Sequence, residues 1–87
     1  MQRGKTLGTI VAEIETRLEE EHPDEGIVIL AAREHKSNDM LGFVLAYRSE
    51  GDYITWLWNS ARPTTVLYEG HYDMDYEEAL MDFESRK

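Results

Sequence analysis

The stretch from Leu41 to Tyr72 constrains this chain most. It holds both tryptophans, four of the five tyrosines and one of the two phenylalanines. A chain of 87 residues is expected to form one domain, 1–87, and buries only roughly 60–65% of the surface its unfolded form exposes. These large side chains must therefore supply much of the core. With no cysteine present, neither a disulfide nor a thiolate metal site can compensate for a small one.

Within that stretch, Leu41–Arg48 and Tyr53–Asn59 read as a hairpin around Glu50-Gly51-Asp52. With Glu50-Gly51 as the loop, Tyr47 faces Ile54. With Gly51-Asp52 as the loop, Tyr47 faces Trp56. Either choice gathers Phe43, Leu45, Tyr47, Ile54, Trp56 and Trp58 on one face, the expected core face, because side chains alternate with period two. Gly42, Val44, Ala46, Arg48, Tyr53, Thr55 and Leu57 make up the other. Asn59–Thr65, which contains Pro63, reads as a loop, and Val66–Tyr72 as a further strand. In that strand Gly70 leaves room for a bulky neighbour such as a tryptophan. Upstream, Ile27–Ala32 is apolar on both parities, which marks an inner strand or one covered on both faces.

Two helices flank these strands. Leu7, Ile10, Val11, Ile14 and Leu18 recur with helical period behind Thr6 or Thr9 as N-cap. That helix should fade over Glu19–His22, because Pro23 disfavours helical geometry in the residue before it. Met1–Lys5 reads as a frayed leader, and Pro23–Gly26 and His35–Asp39 as turn and loop. At the other end Tyr76, Ala79, Leu80 and Phe83 form a second apolar stripe, running to about Ser85. Asp75 and Glu78 have the spacing of an N-cap and capping box. The expected fold is α+β in the order αββββα: two layers, with a four-stranded antiparallel meander carrying both helices on one face. The opposite sheet face, with Val44, Ala46, Tyr53, Thr55 and Leu57, would then be open to a homodimer or adaptor contact.

Charge is segregated. The net charge is −9, from 18 acids and 9 bases. Glu13–Glu25 and Glu69–Lys87 together hold 14 of the 18 acids, while Gly26–Tyr68 is balanced. Direct binding to nucleic acid is not expected, since affinity for phosphates comes from clustered lysine and arginine. No apolar run is long enough for a membrane span or a signal peptide, so a soluble, cytoplasmic protein with no membrane contact is expected.

Chemical motifs are absent. Asp73, Asp75, Glu77 and Glu84 fall at some spacings of a calcium loop, but Glu78 stands where the sharp turn needs glycine. Capping is the better reading of that segment. His22 and His35 read as solvated loop residues, and Glu69 with His71 is the single conceivable acid–base pair. No nucleophile context or phosphate loop is present, so no enzyme activity, cofactor or metal is expected.

The acidic helices carry the functional expectation. Glu13, Glu15, Glu19 and Glu20 point away from the apolar stripe of the first helix or flank it. Asp73, Asp75, Glu77, Glu78, Asp82 and Glu84 surround the second, with Met81 exposed among them. Glu13 and Arg17 form the one favourable i, i+4 pair. Carboxylates one helical turn apart, at about 6 Å, approximate the spacing of phosphates along a nucleic-acid strand. Such a surface could occupy the basic groove of a nucleic-acid-binding host protein. Reversing Glu78, Asp82 and Glu84 to lysine would then abolish binding and leave the fold intact.

The runs Tyr53-Ile-Thr-Trp56, Gly70-His71-Tyr72 and Asp75-Tyr-Glu-Glu-Ala-Leu80, with Asp82-Phe83 and Arg86, resemble the C-terminal half of small uncharacterised bacterial and phage proteins. That resemblance implies a fold and no activity. In size and charge the chain is similar to phage anti-CRISPR proteins and other DNA-mimic inhibitors. This second likeness implies a phage- or mobile-element-encoded inhibitor of a host defence protein, and assigns a role to no residue.

Overall fold

A computed structural model describes residues 5–61 and 64–87. Most of the expected leader and Pro63 of the expected Asn59–Thr65 loop lie outside the described residues. Helix α1 (Leu7–Glu21) starts at Thr6, whose hydroxyl accepts from the Thr9 amide at 3.2 Å, and ends at His22, directly before Pro23. Four strands follow: β1 (Val28–His35), β2 (Asn38–Tyr47), β3 (Tyr53–Asn59) and β4 (Val66–Met74). Helix α2 (Tyr76–Ser85) closes the order αββββα. The sheet runs β1-β2-β3-β4 with every neighbour antiparallel. The class is α+β, as the sequence indicates.

The faces of the sheet differ from expectation. Tyr47 pairs with Tyr53, Ala46 with Ile54, Val44 with Trp56 and Gly42 with Trp58. The connection from Arg48 through Asp52 has an odd number of residues, so β3 is inverted relative to the alternation a two-residue turn would give. Three features hold it. The Arg48 amide donates to the Asp52 carbonyl at 2.9 Å, and the Gly51 amide to the Arg48 carbonyl at 2.8 Å. The Arg48 guanidinium grips both carboxylate oxygens of Asp52, at 2.8 and 2.7 Å. Gly51 sits at φ +110°, where a side chain would be strained.

Partners across a ladder share a face, so the expected aromatic slab divides. Val44, Ala46, Ile54, Trp56 and Trp58 form one core with Ile10, Ile14 and Leu18 of α1. Phe43 and Leu45 form a second core with Ala79 and Phe83 of α2, joined by Tyr53, Leu57 and Met74. The helices therefore cover opposite faces, and the molecule has three layers rather than the two expected. The open sheet face proposed for a homodimer contact does not exist. Val44 and Ala46 are fully buried in the α1 core, and Thr55 is fully buried on the α2 side, where it meets Asp82.

The polar edges of the large rings are satisfied. Trp58 Nε1 donates to the Phe43 carbonyl at 3.2 Å, and Trp56 Nε1 to the Tyr72 hydroxyl at 3.0 Å. Trp58 lies across Gly42, where a Cβ would collide with both the indole ring and the Arg33 carbonyl. Tyr72, not a tryptophan, lies over Gly70. Strand β1 is an edge strand partly covered on both faces: Ile29 and Ala32 join the α1 core, and Ala31 the α2 core. Strand β4 is the other edge, and its register shifts twice as it passes Glu69 (φ 50°) and Asp73 (φ 60°).

Candidate functional site

The two acidic helices use their carboxylates differently. On α1 the apolar stripe of Ile10, Ile14 and Leu18 faces the sheet, so helical geometry turns Glu15, Glu19 and Glu20 outward. All three are exposed, and none makes a hydrogen bond or ion pair among the described residues. They line a shallow groove with Ala12 and Thr16. Glu13 is not part of this surface. Its Oε1 accepts from Lys5 Nζ at 2.8 Å, the Thr65 amide at 3.0 Å and the Thr65 hydroxyl at 2.7 Å. Burial pushes the Glu13 carboxyl up, but these hydrogen bonds outweigh it and hold the group below its ordinary value. Glu13 thus ties the β3–β4 connection to the helix. Arg17, expected to pair with Glu13, instead reaches Glu21 Oε2 at 2.7 Å and the Thr65 carbonyl at 3.1 Å.

Around α2 most acids are committed. Asp75 accepts from the Glu78 amide at 2.9 Å while Glu78 accepts from the Asp75 amide at 3.0 Å, a complete capping box. Asp82 accepts from the buried Thr55 hydroxyl and lies 2.8 Å from His71 Nδ1. Thr55 also accepts from Arg86 Nη1 at 3.0 Å. Burial works against the Asp82 charge, but Thr55, His71 and Arg86 together hold the carboxyl below its ordinary value of 3.8. Asp73 lies 3.5 Å from Arg48. This leaves Glu77 and Glu84 exposed and unpartnered among the described residues, beside Met81, which is 71% exposed.

The expected acidic residues therefore do not form one surface. Glu15, Glu19 and Glu20 lie on one side of the sheet, and Glu77, Met81 and Glu84 on the other. Asp73, Asp75, Glu78 and Asp82, like Glu13, have work inside the fold. Reversal of Glu78 and Asp82 would break a helix cap and a network across the α2–sheet contact, so the triple lysine change would not leave the fold intact.

The histidines are engaged. His22 Nδ1 lies 2.8 Å from Glu25 Oε2, and His35 Nδ1 accepts from the Ser37 amide at 3.0 Å. Glu69 and His71 do not pair. Glu69 lies 3.7 Å from Arg86, and His71 is on Asp82. Among the described residues no group of three or more acids and histidines is placed to hold a metal ion. No helix among them is long and apolar enough to cross a membrane.

Arg48 was not singled out by the sequence. Besides Asp52, it reaches Glu25 Oε1 at 3.0 Å, and Asp52 also accepts from the Asp73 amide at 3.1 Å. One guanidinium joins the turn after α1, the β2–β3 connection and the end of β4. Its carboxylate partners raise its pKa above the ordinary value and lower those of Asp52 and Glu25. The available signal was the Arg48/Asp52 spacing, which brackets the hairpin loop. Comparison with protein-family models, curated proteins and solved structures finds no match, so the capacity of these surfaces has to be read from their own chemistry.

Proposed function

We propose that this is a small acidic protein-binding inhibitor that covers the basic, nucleic-acid-binding groove of another protein, with the outward face of α1 as its contact surface. The observation carrying this reading is that Glu15, Glu19 and Glu20 stand exposed along the outward face of α1 with no partner among the described residues. The helix gains nothing from them. Glu15 and Glu19 repel at i, i+4, at a cost of about 0.2–0.5 kcal/mol. Glu19 and Glu20 also approach the negative end of the helix dipole, where the last turn holds no base. A cationic groove would relieve both penalties. Compared with the expectation from sequence, the proposed surface narrows to one helix, with Glu77, Met81 and Glu84 as a separate patch. A phage or mobile-element source, a host defence target and a cytoplasmic setting belong to the same proposal, supported by the resemblances in motif, size and charge.

Attraction of this kind speeds encounter and weakens with salt, because the Debye length falls from ~10 Å at 0.1 M to ~3 Å at 1 M. The test is retention of nucleic-acid-binding host proteins by the wild-type chain and by a Glu15→Lys, Glu19→Lys, Glu20→Lys variant, at both salt concentrations. The expected result is a partner retained at low salt, displaced by duplex DNA and lost by the variant. A partner held equally by both chains refutes the α1 surface. A Glu77→Lys, Glu84→Lys variant reports whether the opposite patch contributes.

A further inference from the structure

One cleft runs against the charge of the whole molecule. It lies where the β1–β2 turn meets the end of α2, has a volume of about 400 Å³, and is lined by Arg33, His35, Lys36, Arg86 and Lys87. Glu84 is the sole acidic residue among its lining. Lys5, Arg17 and Arg48 elsewhere in the described chain, and Arg86 within the cleft, are each ion-paired with a carboxylate. Arg33, Lys36 and Lys87 have no carboxylate partner among the described residues, although acids outnumber bases two to one. Among the described residues, the cations left without carboxylates thus converge on this cleft, from segments far apart in sequence.

Arg33 is held in place without being neutralised. Its Nε and Nη2 donate to the Phe83 carbonyl at 3.2 and 2.7 Å, and Nη2 also to the Arg86 carbonyl at 2.7 Å. Its guanidinium lies 4.6 Å from the Phe43 ring centroid, and that of Arg86 lies 5.5 Å from the same ring. These contacts satisfy the last carbonyls of α2, which would otherwise repel an anion. Arg33 Nη1 and Arg86 Nε make no hydrogen bond among the described residues, and Lys36 and Lys87 are exposed.

We infer that this cleft binds a small organic phosphate. Arg33, Lys36 and Lys87 supply charge-assisted donors for the phosphate oxygens. The volume falls within the roughly 300–1,000 Å³ usual for small-molecule sites and exceeds what a bare phosphate needs. The remaining space, beside the His35 ring and the lysine and arginine stems, takes an organic body. A long polyanion is disfavoured by the surrounding net charge of −9. A compact anion is less affected. At 0.15 M salt charges beyond about 8 Å are largely screened, and the molecule extends over 42 Å. This inference is independent of the acidic face of α1.

The experiment is titration of the ¹⁵N-labelled chain with inorganic phosphate, phenyl phosphate and phenol, following backbone amide shifts. Saturable shifts are expected at Lys36, Ser37, Arg86 and Lys87 with both phosphates. Phenyl phosphate should bind about tenfold tighter, the effect of roughly 1.4 kcal/mol of added contact, and phenol should produce none of these shifts. A Lys36→Glu, Lys87→Glu variant should weaken phosphate binding at least about tenfold with its other resonances unmoved. Lys36→Gln, Lys87→Gln repeats the test without charge reversal. Absence of saturable shifts at these residues, equal binding by the variants, or phenol acting as well as phenyl phosphate would overturn the inference. Equal affinity for both phosphates would remove the organic body from it.

Discussion

The two faces of the sheet are covered by helices of similar amphipathic design, yet they are held by different means. Under α1 the contact is apolar: Ile10, Ile14 and Leu18 lie on Val44, Ala46, Ile54, Trp56 and Trp58, and the tryptophan N–H groups are satisfied within the sheet layer. Under α2 the apolar set is smaller, and a polar network that runs from buried Thr55 through Asp82 and Arg86 to exposed His71 completes the contact. Hydrophobic burial needs no carboxylate, so α1 can leave Glu15, Glu19 and Glu20 idle while Glu13 and Glu21 are engaged. A polar network has to be satisfied throughout, so at α2 Asp82 is committed to it, as Asp75 and Glu78 are to the helix cap. The same excess of acid therefore means availability on one face and architecture on the other.

The contrast breaks most severely at the first face. Trp58→Ala removes a fully buried indole and should cost about 3–5 kcal/mol in chemical denaturation. Gly42→Ala probes the same contact from the other side, since its methyl would occupy the space of the Trp58 ring, at about 1–3 kcal/mol. Comparable losses from polar substitutions under α2, and none from these, would reverse the assignment of which core dominates.

Asp82→Ala tests the second face. It leaves the buried Thr55 hydroxyl without its acceptor and His71 without its partner, and should cost about 1–3 kcal/mol. The pH dependence sharpens the point. The folded-state pKa of Asp82 is depressed below 3.8, so its contribution is full above that value and is lost as pH falls through the lower folded one. Glu13 and Asp52 are depressed in the same direction. Wild type should lose stability as the pH falls through and below the ordinary carboxylate range, and Asp82→Ala should lose less over the same fall. Parallel pH profiles for the two proteins would show that the network carries no charge-dependent stability.

Arg48→Met falls next in size. It releases Asp52 from its bidentate grip and Glu25 from the hairpin, and a partly exposed site of this kind should cost about 1–2 kcal/mol. Because Arg48 lies at the end of both cores, thermal melts should show one lowered transition rather than separate loss of either helix.

The element order was legible because each element carries a local signal: the stripes of the two helices, Thr6 and the Asp75/Glu78 box as caps, Pro23 as a stop, and alternation along the strands. Placement of the helices was not legible, because it turned on the parity of a single connection. Glu50-Gly51-Asp52 offers turn chemistry for several loop lengths, and the length adopted depends on Arg48 reaching acids from three segments. One sign of double coverage was nevertheless present. Phe43-Val44-Leu45-Ala46 is apolar on both parities, like Ile27–Ala32, and such runs belong to strands buried on both sides. The free acids could be read from the period of α1. The engaged ones could not, since Thr65, Thr55 and His71 reach Glu13 and Asp82 only through tertiary contact.

The smallest effect on stability bears most directly on function. Glu15→Gln, Glu19→Gln and Glu20→Gln together keep side-chain size and remove charges that oppose one another and the helix dipole. If these acids do nothing for the fold, the triple variant should be as stable as wild type or slightly more so, by up to about 0.5 kcal/mol. The gain should shrink as salt is added, because screening already relieves the repulsion in wild type. Asp82→Asn, one charge removed on the opposite face, should be destabilising under the same conditions even though net charge again becomes less negative. Opposite signs from the same kind of change would establish that α1 holds its carboxylates at the expense of its own stability. Matching losses would instead place Glu15, Glu19 and Glu20 among the residues that hold the fold, and remove the ground for a cationic partner at that helix.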